Sequence, residues 1–127
     1  MTQSIETITI NGEEYVKKSS LCESRAQHTN TDGLQCVLAR GDRSGVYVGY
    51  LLEEKEREII LVDARWIWYW SGAATLAQLA QEGVKNPNDC KFPMLIPKMK
   101  MKDCIQIIPV SKKAKKSIDG VPIWKRK

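Results

Sequence analysis

"QCVLARGDRSGVYVGYLLEEKEREIILVDARW", residues 35–66, is the stretch whose reading decides the fold. Residues 35–40 read as a strand ending at Arg40. GDRSG is a turn, with Gly41 and Gly45 open to dihedrals closed to other residues. Residues 46–52 read as a strand with Val46, Val48 and Tyr50 on one face, because side chains alternate along extended backbone. EEKERE is a charged hairpin connection, and residues 58–66 form the next strand. Three such strands in succession predict an antiparallel meander with one face on a core and one face free.

Upstream, ETITINGEEYVKK reads as a hairpin. Asn11-Gly12 supplies the two positive-φ positions of a type I′ turn, which sets Ile8 opposite Tyr15 and Glu6 opposite Lys17. Residues 18–34 are polar and contain turn signals, and read as a loop with room for one short helical turn. Downstream, SGAATLAQLAQEG predicts a short helix, with Ser71 as N-cap, Gly83 just past its end, and Leu76, Leu79 and Ala80 as its buried stripe. KNPNDC is a turn. KFPMLIP and DCIQIIPV read as two closing strands with KMKMK between them, and Pro93 and Pro97 argue for an edge or an irregular strand in the first. SKKAKKSID predicts a second short helix, and Trp124 reads as an anchor near the end. The expected class is α+β, a mainly antiparallel meander sheet with one or two short helices and closing strands.

The 127 residues suit one domain spanning 1–127, with a basic segment over about 111–127. No apolar run approaches the roughly 20 residues of a membrane helix. The start, MTQSIETITING, has neither a basic n-region nor an apolar h-region, so a cytoplasmic location is expected. Cys22, Cys36, Cys90 and Cys104 are widely spaced and His28 is the only histidine, which argues against a metal site and for buried free thiols. Charge is uneven: residues 1–90 carry 9 basic and 13 acidic side chains (−4), residues 91–127 carry 11 and 2 (+9). Such asymmetry points to an anionic partner or a solvated lysine face.

Three of the four tryptophans, Trp66, Trp68 and Trp70, fall within five residues. If the backbone stays extended, they share a face with Ile60 and Val62, and Arg65 and Tyr69 point the other way beside Asp63 and Ile67. If a helix begins near Trp66, then Trp66 and Trp70 align and Trp68 turns away. Core packing suits Trp66 and Trp70, and the role of Trp68 stays open.

There is no G-x-S-x-G, no glycine-rich phosphate loop and no ligand cluster, so neither catalysis nor a cofactor is expected. Binding has more support. Arg40, Arg43 and Arg65 sit at strand ends and turns of one meander, and a guanidinium fork matches phosphate. A base stacked on an aromatic ring gains on the order of 1–3 kcal/mol. Tyr69, Trp68, Lys91 and Phe92 are the aromatic and cationic candidates beside those arginines. Each arginine has a competing structural reading, a pairing with Asp42 or Asp63, and Phe92 has one as an ordinary core residue.

Four stretches, ITINGEEYVKK, VLARGDRSGVYVGYL, ARWIWYWSGAATLAQLAQEGVKNPNDCKF and IQIIPVSKKAKKSIDGVPIWK, resemble small phage and prophage proteins. The pattern is similar to that of the phage anti-Thoeris sponges, the first-described Thoeris anti-defence type. The resemblance covers nearly the whole chain from about residue 8. It implies a protein that sequesters cyclic ADP-ribose isomers without cleaving them, with cyclic oligonucleotide signals of CBASS defence as a further ligand in some members. It implies dimers, or hexamers built from dimers, in the host cytoplasm. Arg40, Arg65 and Phe92 are the ligand positions it carries over. The competing expectation is a basic nucleic-acid-binding phage accessory protein driven by the +9 segment. A third is an assembly protein with no small ligand.

Overall fold

The computed structural model describes residues 7–10, 13–16 and 27–125. β1 (Thr7–Ile10) and β2 (Glu13–Val16) form a two-stranded antiparallel sheet with Ile8 opposite Tyr15. The Asn11-Gly12 turn, the Glu6–Lys17 pair and residues 18–26 lie outside the described residues. The meander follows as β3 (Cys36–Gly41), β4 (Val46–Lys55) and β5 (Glu58–Trp66). Helix α1 (Leu76–Glu82), a 3₁₀ turn (Pro87–Asp89), β6 (Ile96–Met101), β7 (Cys104–Pro109) and helix α2 (Lys112–Asp119) complete the described elements. β3 to β7 make one antiparallel five-stranded sheet of order β6-β5-β4-β3-β7, so the class is α+β. No helix among the described residues is long and apolar enough to cross a membrane.

Several local expectations shift. β4 runs on to Lys55, so the charged connection shrinks to a turn at Glu56 and Arg57. KMKMK lies largely inside β6 rather than between strands, and Lys91 and Phe92 make only isolated bridges. Arg65 takes the Phe92 and Pro93 carbonyls, and Phe92 O also accepts from Trp124 N–H. The cap of α1 is Thr75, whose hydroxyl accepts from the Gln78 amide at 3.1 Å; Ser71 instead donates its N–H to Cys90 Sγ. Gly83 does end α1, at φ 80°. Ser111 caps α2 through the Ala114 amide and donates its hydroxyl to Gln81 O at 2.7 Å, which ties α2 to α1. Part of the expected loop is also fixed, through the bridges Gln27–Ser111 and Thr29–Gln35.

The connection from β6 to β7 shapes the sheet. These strands are opposite edges, yet only Lys102 and Asp103 join them. Three Cα steps reach at most about 11 Å, whereas four flat inter-strand spacings need roughly 19 Å. The sheet is therefore coiled until its edges meet at that end. There Cys104 N–H donates to Arg57 O at 3.0 Å and Asp42 N–H to Asp103 O at 2.8 Å. The Asp103 carboxylate also accepts from the Ser44 hydroxyl and the Arg43 and Ser44 amides, and these bonds hold it below the usual carboxylate range. Gly49 lies in the bend, where a Cβ would sit 3.2 Å from Ala64 Cα and Leu61 Cβ.

Coiling divides the core into two. Val37, Ala39, Ile59, Leu61, Ala64, Met101 and Cys104 fill the inner face, which gathers residues from both edges. The outer face carries Cys36, Leu38, Val48 and Tyr50, covered by Leu79, Ala80, Ala114, Ile118 and Phe92. Cys36, Cys90 and Cys104 are buried free thiols. Burial pushes the Cys36 thiol up from 9.0 to about 12. The unfolded thiol ionises first, so stability from Cys36 is intact below pH 9 and is lost as pH rises towards 12. Urea titrations between pH 8 and about 11 are expected to show a shallower decline for Cys36→Ala than for the parent; equal slopes would exclude this linkage.

Candidate aromatic binding site

The site begins with a bulge in β5. Val48 pairs with Arg65 and Tyr50 with Val62, so Asp63 and Ala64 together oppose Gly49. Asp63 takes φ 50°, a left-handed conformation that aspartate tolerates better than most residues. The bulge inverts the side-chain alternation. Upstream, Val62 packs on the outer core; downstream, Arg65 and Ile67 take that side. Trp66 therefore does not share a face with Val62, contrary to simple alternation. It goes to the opposite side and stacks on Tyr47, with centroids 6.1 Å apart.

Arg65 is consequently no ligand residue. It is 8% exposed and donates to five backbone carbonyls: Phe92, Pro93, Ile118, Val121 and Pro122, at 2.9–3.2 Å. It makes no ion pair with Asp63 among the described residues. Burial lowers its proton affinity, but a guanidinium starts high enough to remain charged. Its Cζ lies 5.4 Å from the centre of the Phe92 ring. Phe92 is fully buried in the outer core and cannot stack on a ligand from solvent. Two of the three carried-over positions are thus corrected to structural roles: Arg65 clamps the segments 92–93 and 118–122 to β5, and Phe92 fills the space beneath.

That clamp delivers Trp124 to Trp68. Phe92 bridges Ile123 in parallel, and Trp124 N–H donates to Phe92 O at 3.0 Å. The two indoles stack with centroids 4.8 Å apart and planes 10° apart. They continue an aromatic series, Tyr47–Trp66–Trp68–Trp124, in which Trp66 meets Trp68 edge-on at 6.4 Å. Despite this mutual cover, Trp68 is 47% exposed and Trp124 45%. Lys91 Nζ lies 5.6 Å from the centre of each of these two rings. Tyr69, bridged backbone to backbone with Lys91, is exposed beside them. Trp70 is half-buried against the outer core, as expected of a packing residue.

Trp68 and Lys91 are therefore brought together, with Trp124 as an additional member, and Tyr69 joins them through its backbone bridge to Lys91. No sequence signal linked Trp124 to Trp68, which lies 56 positions earlier. Arg40 and Arg43 remain exposed beside and within the β3–β4 turn, whose Gly45 abuts the Trp66 indole, whereas the cation seen at the stacked pair among the described residues is Lys91. The arrangement offers a flat π surface with one cation at its edge. His28 bonds the Tyr50 hydroxyl at 2.9 Å. No group of His, Cys, Asp or Glu among the described residues is placed to hold a metal ion.

No curated protein and no solved structure matches the chain. A family model does match, over residues 34–118, which takes in β3 to α2 with Trp68, Tyr69 and Lys91 and stops short of Trp124. The chain belongs to the family described as a domain of unknown function, DUF6948.

Proposed function

We propose that the chain is a non-catalytic binding protein that holds the flat base of a nucleotide on the Trp68–Trp124 stack. The carrying observation is that two ordered, parallel indoles stay nearly half exposed with a lysine ammonium at their common edge. Large aromatics left in water at a fixed orientation are a binding surface rather than a core. Every base offers a π face to such a platform, and the Lys91 charge suits an anionic ligand. Arg40 and Arg43 remain as solvent-facing phosphate donors.

In its specific form the ligand is a cyclic nucleotide immune signal, a cyclic ADP-ribose isomer, sequestered without cleavage. This rests on the resemblance of the sequence to anti-Thoeris sponges. The same resemblance supports dimers or hexamers of dimers, and exposed Met94, Leu95, Ile96 and Ile123 supply apolar surface for such seams. The test loads the protein with 1″–2′ or 1″–3′ cyclic ADP-ribose, removes free ligand, then heats the complex. Recovery of intact signal in proportion to protein is expected. Absence of retention, or recovery of a cleaved product, would sink the sponge reading. A salt-sensitive gel shift with mixed-sequence oligonucleotide, with no retained signal, would replace it with nucleic-acid binding.

A further inference from the structure

The lysines of α2 are not one uniform face. Lys115 turns inward, pairs with Asp119 and lies 5.5 Å from the centre of the Tyr50 ring. Lys113 and Lys116, three apart and so on one side of the helix, line a cleft of about 390 Å³ between α1 and α2. Lys85 lines it too, from the loop after α1. Three ammonium groups thus border one cavity with a single carboxylate, Glu82, at its wall. No ion pair satisfies Lys85, Lys113 or Lys116 among the described residues.

The cleft walls are fastened to each other. Gly83 has φ 80°, and a Cβ there would sit 2.3 Å from Ser117 Cβ, so the end of α1 rests directly on α2. The Ser117 hydroxyl accepts from Val84 N–H at 2.9 Å and donates to Val84 O at 3.0 Å, which ties the two walls. Gly72, also lining the cleft, has φ 92°, and a Cβ would meet the backbone nitrogen of Lys85 at 2.4 Å. The loop before α1 is therefore seated on the loop after it.

The geometry points to a binding site for a small phosphorylated molecule, with Lys85, Lys113 and Lys116 converging on its phosphates. A half-open cleft of this volume falls at the small end of ligand sites, about 300–1,000 Å³, and suits a compact ligand rather than a polymer. Lysine serves phosphate as a point charge without the fixed angles an arginine fork demands. Like charges held around one cavity repel, and a multivalent anion relieves that repulsion. The site shares none of its lining residues with the Trp68–Trp124 stack.

Inorganic pyrophosphate is the probe. Titration calorimetry of the full chain at low salt is expected to show one site per chain. Lys113→Gln with Lys116→Gln is expected to weaken it at least tenfold, about 1.4 kcal/mol. Lys85→Gln is expected to weaken it severalfold from the opposite wall. Lys98→Gln with Lys112→Gln removes the same charge outside the cleft and is expected to leave affinity within about twofold. All these side chains are exposed, so the variants retain the fold. Absence of binding to the parent, or equal weakening by the control pair, would overturn the site. Neither result depends on retention of cyclic ADP-ribose.

Discussion

Arg65→Met is expected to unfold the chain roughly 10–20 °C below the parent in a thermal melt, a loss of about 3–5 kcal/mol. Methionine keeps much of the side-chain volume, so little of the loss comes from a cavity. The loss comes from five carbonyls, those of Phe92, Pro93, Ile118, Val121 and Pro122, which share this one guanidinium. A buried carbonyl without a donor costs about 1–3 kcal/mol. Phe92 O keeps the Trp124 N–H and Ile118 O keeps the Val121 N–H, so the loss falls mainly on Pro93, Val121 and Pro122 and stays below five full penalties. Arg65→Lys restores the charge but offers only three donors without the planar fork, so it is expected to recover less than half of the loss. Amide exchange near residues 118–124 is expected to accelerate first, because the clamp holds that segment to β5. A melting temperature within about 2 °C of the parent for Arg65→Met would show that these carbonyls find water instead.

The same residue marks where the sequence stops being legible. Strand existence followed from alternation: Val46, Val48 and Tyr50 do face one core, and Leu76, Leu79 and Ala80 do line α1 towards it. Alternation failed at Asp63, where one left-handed residue exchanged the faces of everything after it. An aspartate before Ala-Arg-Trp is compatible with such a bulge, but it is equally compatible with an ordinary strand, and only the pairing register decides. The exchange moved Arg65 from solvent into the outer core and Trp66 to the opposite face, where it is half-buried against Tyr47. The lysines of residues 112–116 could not be sorted without knowing that α2 presses its Ala114–Ile118 stripe on the outer core. Trp124 reached Trp68 only through the Arg65 clamp and the Phe92–Ile123 bridge, contacts between segments far apart in sequence.

Trp68→Ala and Trp124→Ala should each weaken nucleotide binding by roughly 5–150-fold, the range set by 1–3 kcal/mol per stacked base. The two indoles cover each other, so either substitution exposes and loosens its neighbour. The double variant is therefore expected to lose less than the product of the single effects, a coupling readable in a double-mutant cycle. Trp68→Phe keeps a π face and should stay within a few-fold of the parent. The fold answers differently from the site, because Trp124 is held by backbone contacts and by the nearby Arg65 clamp as well as by its ring. Removing one half-exposed indole is accordingly expected to lower the melting temperature by only a few degrees. The opposite pattern, a large fall in melting temperature with unchanged affinity, would make the stack a fastening for the C-terminal segment and move nucleotide binding elsewhere. Loss of affinity with the fold retained would assign the exposed indoles to the ligand, since an aromatic pair left half in water with a cation at its edge contributes less to the core than a buried pair would.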